Sequence, residues 1–129
     1  MKMAAALTLT VSAVAFINGC GQSTTVSDPN QIVFPDTLVS YRNHVQPFIA
    51  LRCGPCHGDN IAAGGVRLTS YSYLLFDRPN LIVPNKPSES RVIQVLELTS
   101  AHPSGNIDQI PWEQVQGMRR WVFEGAPSN

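Results

Sequence analysis

The stretch RCGPCHG, Arg52 to Gly58, admits two chemistries that exclude each other. Taken as Cys53-Gly54-Pro55-Cys56 it is a redox dithiol, in which the sulfurs are the reacting atoms. Taken one residue further, as Cys53-x-x-Cys56-His57, it is an attachment site for c-type haem. The sulfurs then become tethers, and His57 becomes the ligand that faces the iron.

The flanking residues separate the two. Upstream, Ser40 is placed to cap a helix, and Val45, Phe48 and Ile49 follow the i, i+3, i+4 spacing of one buried face. Pro47 lies inside that run, so a kink or a helix start is expected there. Downstream, HGDNIAAGGVRL carries Gly58, Gly64 and Gly65 and is poor helix material. A thioredoxin-like fold needs the reverse order, a strand before the first cysteine and a long helix beginning at it. A structural zinc site needs four ligands, and the chain has no second Cys pair or His pair to complete one. Haem attachment accounts for each residue. Two cysteines three apart lie on one turn, within reach of the two vinyl groups of one porphyrin, and His57 follows directly. The chemistry expected is therefore one haem c per chain.

Further out, Ser88 is placed to cap a second helix through Leu98, with Val92, Val95 and Leu96 inward. Pro111 suits the first turn of a last helix, with Val115, Met118, Trp121 and Val122 on its inner face and Gly125 just past its end. The expectation is an all-α domain of three main helices over residues 40–126, joined by irregular loops. Val66 and Leu68 suggest one short extended segment, and Tyr71 to Phe76 one or two helical turns.

The chain has 129 residues, 43% hydrophobic and 14% charged, with nine basic and nine acidic side chains. That composition suits one small globular domain, and no basic stripe points to nucleic acid. Its beginning reads as an export segment. Lys2 precedes an apolar run, Ala4 to Ile17, too short for a bilayer span of roughly 20 residues. The run ends in Ile17-Asn18-Gly19-Cys20, which resembles a bacterial lipoprotein signal. The resemblance implies a signal peptide over residues 1–19 and a lipid on Cys20. It also accounts for the odd third cysteine, since Cys20, Cys53 and Cys56 are the only three. Residues 20–39 are polar and read as a flexible tether. The expected location is the periplasmic face of a bacterial membrane, and Gly21 after the cysteine favours the outer one.

Four pieces, VQPFIALRCGPCHG, GGVRLTSYSYLL, IVPNKPSESRVIQVL and MRRWVFEGAP, occur in that order between Tyr41 and Ala126. Together they resemble the single-haem domain of planctomycete-type cytochromes c. The resemblance implies a cytochrome c-like fold, covalent haem on Cys53 and Cys56, and His57 as axial ligand. It also implies electron exchange with donor and acceptor proteins, with no stand-alone catalysis. One piece departs from the pattern. That family usually carries Met-Pro-Pro between the second and last helices, where this chain has Ala101-His102-Pro103-Ser104-Gly105. His102 therefore becomes the candidate distal ligand. Met118 reads as core, and His44 as a solvent-facing residue of the first helix. Arg67 and Arg91 are candidates to meet the haem propionates. Two alternatives stand beside this reading: a haem-based ligand-binding or sensing module with an open or exchangeable sixth site, and a thioredoxin-like thiol-disulfide oxidoreductase.

Overall fold

The computed structural model describes residues 26–103 and 107–129. The lipidation candidate Cys20 and the signal segment lie outside them. The described residues form a mostly helical, strandless domain with few regular helices, consistent with a cytochrome c-like fold. Its helices are α1 (Gln46–Arg52), α2 (Gly54–His57), α3 (Arg91–Leu96) and α4 (Trp112–Phe123), linked by short 3-10 and π turns. None of the described helices is long and apolar enough to cross a membrane.

The helical run that leads into α1 begins as the sequence suggests. The Ser40 hydroxyl accepts the Asn43 N–H at 3.2 Å, and the His44 Nδ1 accepts the Ser40 N–H at 3.0 Å. The two contacts satisfy backbone donors that a helix start leaves open. Pro47 is accommodated by a π turn, Tyr41–Val45, before the chain tightens into α1 with Pro47 in its first turn. A proline there costs nothing, because that N–H has no partner inside the helix.

Helix α4 is the spine of the core. It buries Val115, Met118, Trp121 and Val122 against α3 and the Tyr41–Val45 turn. Its end is a Schellman motif: Gly125 N–H donates to Val122 O at 3.0 Å and Ala126 N–H to Trp121 O at 2.9 Å, with Gly125 at φ 95°. Helix α3 starts later than its sequence suggests. Ser88 falls within a 3-10 turn, Pro87–Glu89, and Ser90 is the residue that precedes the helix. The reason is packing. The Ser90 hydroxyl is fully buried, accepts Val83 N–H at 2.8 Å and contacts Lys86 O at 3.0 Å, which ties the preceding loop to the helix start.

The larger correction concerns the tether. Residues 26–39 lie on the domain instead of extending from it. Ile32 and Val39 are buried, and the Phe34 ring packs edge-on to Phe48 at 5.8 Å. The Gln114 amide donates to Pro29 O at 2.7 Å and Ile32 O at 3.0 Å, while the Glu124 carboxylate accepts the N–H groups of Leu38 and Val39 at 2.9 Å each. Helix α4 thus supplies backbone partners to a segment that has few of its own.

Gly117 makes this docking possible. A Cβ there would overlap Cβ and Cγ of Phe34, atoms too close to the backbone to swing away. In an isolated helix Gly→Ala stabilises by about 1 kcal/mol, whereas overpacking a core costs about 1–3 kcal/mol. Gly117→Ala is therefore expected to lower the melting temperature, read by circular dichroism. A rise would mean that Phe34 does not sit against α4.

Candidate functional site

Arg52 ends α1, and the chain turns at once into α2. The Cys56 N–H donates to Cys53 O at 3.1 Å and the His57 N–H to the same oxygen at 2.8 Å. One tight turn therefore carries both sulfurs and the imidazole. Gly64 and Gly65, at φ 61° and 71°, reverse the following loop so that it runs back along this turn. The return is fixed by Leu68 N–H donating to His57 O at 2.9 Å.

That loop also orients the imidazole. The His57 Nδ1 lies 3.1 Å from Val66 O. A carbonyl only accepts, so Nδ1 carries the proton and Nε2 is left with its lone pair. This is the tautomer-fixing contact that metal-binding histidines make with a backbone carbonyl.

Cys53, Cys56, His57 and His102 all line one cavity of about 490 Å³, within the ~300–1,000 Å³ range of small-molecule and cofactor sites. Leu68, Leu81, Val92, Val95, Leu96 and Ile110 make its wall largely apolar. The rings of His57 and His102 lie 5.8 Å apart between centroids, at 66° to one another. His102 arrives on the loop after α3, and the neighbouring residues 104–106 lie outside the described ones. A larger groove of about 770 Å³ runs between the Asn30–Asp36 segment and α4, but no cysteine or histidine lines it.

The two thiols differ in setting. Cys56 is exposed and Cys53 half-buried. Burial pushes the Cys53 thiol up to about 12; the Arg52 charge opposes the rise and the Cys56 thiol adds to it. A dithiol enzyme needs its attacking cysteine shifted the other way, toward the thiolate. The described residues also hold no sheet, whereas a thioredoxin-like fold needs a strand before the first cysteine.

The remaining candidates separate clearly. Met118 is fully buried in the core and does not line the cavity. His44 is half-buried, held by the Ser40 N–H and packed 6.0 Å from the Phe34 ring, and it does not line the cavity either. Arg67 is a correction to the propionate expectation. It pairs with Asp77 at 2.7 Å, sits over the Tyr73 ring and lies off the cavity wall. Arg91 does line the wall. So does Arg52, whose place in the last turn of a helix gives no signal of this in the sequence.

The residues present fit a haem. Two thiols and two imidazoles share one apolar cavity. Two guanidinium groups stand on its wall with no carboxylate among the lining residues, against the two carboxylates a haem carries. The comparisons agree with this. The described residues form a strandless helical domain with Cys-x-x-Cys-His on a cavity, consistent with a cytochrome c-like fold, and residues 53–104 match the family described as planctomycete cytochrome C. A cytochrome c domain suggests haem-based electron transfer in place of catalysis. No curated protein and no solved structure matches the chain.

Proposed function

We propose that the protein is a single-haem c-type cytochrome that carries one electron at a time and is held at a membrane outside the cytoplasm by a lipid on Cys20. The observation that carries the reading is the convergence of Cys53, Cys56, His57 and His102 on one cavity. Haem iron, when bound, supplies the one-electron couple. The chain's own residues do the rest. Cys53 and Cys56 hold the porphyrin through thioethers. His57 offers Nε2 because Val66 O holds its other nitrogen, and His102 offers the second imidazole. The 5.8 Å between the two rings suits this pair. Both rings would then supply imidazole nitrogens to the haem iron. The apolar wall excludes water and limits the reorganisation that accompanies electron transfer.

One preparation tests both halves. Cells expressing the full chain are fed a fatty-acid analogue. The protein is then expected in the membrane fraction, labelled, haem-staining on a denaturing gel, and reversibly reducible with low-spin spectra in both states. An unlabelled protein would sink the anchoring. An unstained one would sink the cytochrome reading. Carbon monoxide binding by the reduced wild type would replace the electron carrier with a ligand-binding module.

A further inference from the structure

Arg52 occupies an unusual electrostatic position. It lines the cavity, yet its partners are neutral: Nη2 donates to Asn30 Oδ1 at 2.8 Å and to Gln114 Oε1 at 3.1 Å. Its Nε is buried with no hydrogen-bond partner. All nine acidic side chains of the protein lie among the described residues, and none of them pairs with Arg52. The other arginines that make ion pairs, Arg67 and Arg119, are matched to Asp77 and Glu97. A half-buried guanidinium beside a low-dielectric cavity, left without a counter-ion, is costly unless something in the cavity benefits from it.

We propose that Arg52 is a positive charge to which the protein gives no counter-ion, built into the wall of the cavity, and that it raises the potential of the haem bound there. The inference rests on the cytochrome reading. Reduction adds one negative charge at the iron, and a fixed positive charge nearby stabilises the reduced form. The charge is held by Gln114, whose amide is itself anchored on Pro29 O and Ile32 O. The docked 26–39 segment therefore helps to fix Arg52. The effect of this charge opposes that of His102, because an imidazole in place of methionine forgoes the higher potential a thioether gives.

The test is potentiometric titration of the full-length holoprotein in dilute buffer. For Arg52→Gln the ferrous-to-ferric ratio at a fixed potential should fall about tenfold, equivalent to a midpoint about 59 mV lower. Arg52→Lys, which keeps the charge, should stay within about twofold of wild type, as should Arg42→Gln, an exposed arginine off the cavity wall. Asn30→Asp offers a second route if Arg52→Gln folds poorly. It sets a carboxylate against the guanidinium without removing it, and should lower the ratio about threefold, less than full removal because Asn30 is exposed. Circular dichroism and haem staining confirm that each variant is folded and loaded. The proposal is overturned if Arg52→Gln lies within twofold of wild type. It is also overturned if Arg52→Lys falls as far as Arg52→Gln, which would assign the effect to packing. An unchanged Asn30→Asp protein would equally count against it. A wild-type protein without haem would instead defeat the cytochrome reading itself, a separate outcome seen before any titration.

Discussion

Cys53→Ala with Cys56→Ala is expected to abolish haem staining on a denaturing gel and to cost the protein most of its stability. The first effect follows from bonding. Thioethers survive denaturation, whereas coordination by His57 and His102 does not, so no retained stain is possible without the sulfurs. The second follows from volume. Without the porphyrin, the apolar side chains that line the cavity of about 490 Å³ lose the surface they pack against, in a domain whose whole stability is typically about 5–15 kcal/mol. The variant should therefore relax around its missing contents, with reduced helical ellipticity and a broad, weakly cooperative melt. Single variants should be intermediate, since one thioether still tethers the porphyrin. Of the two, Cys53→Ala should be the more disruptive, because Cys53 is half-buried against the core while Cys56 is exposed. A double variant that stained like the wild type would overturn the assignment of both sulfurs.

Much of this site is legible in the sequence because its geometry is local. Cys53, Cys56 and His57 lie on one turn, and any chain that turns there brings them together. Helix α4 is equally legible, since its inner face repeats at helical spacing and its end carries a glycine that can adopt positive φ. What escapes the sequence is whatever depends on partners far along the chain. Residues 26–39 look like a tether because the side chains that dock, Ile32, Phe34 and Val39, follow no regular period among the prolines and polar residues. Only the facing Gly117 and Gln114, more than eighty residues away, turn them into a docked strap. The Val66 carbonyl that orients His57 is a backbone atom, with no residue type to announce it. Ile93 is fully buried where periodicity favours its neighbours, because α3 is short and flanked closely by the loop at Leu81 and Ile82. Arg52 is the sharpest case. A basic residue in the last turn of a helix is ordinary by sequence. Only its neutral partners and its place on the cavity wall set it apart.

His102→Ala is expected to convert a six-coordinate, low-spin haem into a high-spin one that binds carbon monoxide when reduced. His102 lines the cavity with its ring 5.8 Å from that of His57, and Pro103 restricts its backbone to extended geometry, which fixes the direction of approach. An internal ligand competes with an external one. If the imidazole of His102 occupies the iron ~99% of the time, it weakens carbon monoxide binding about 100-fold, and truncation removes that competition. The wild-type ferric protein should lack the charge-transfer band of a methionine–iron bond. Two controls fix the interpretation. His44→Ala should leave the spectrum unchanged and cost only about 1 kcal/mol of stability, because His44 satisfies the Ser40 N–H at the start of the first helical turn and stands off the cavity. Met118 is the rival ligand. To reach the iron it would have to leave a fully buried position in the core, forfeiting about 2–5 kcal/mol of packing. A His102→Ala protein that stayed low-spin and displayed a methionine band would show that this cost had been met, and would move the distal role from His102 to Met118.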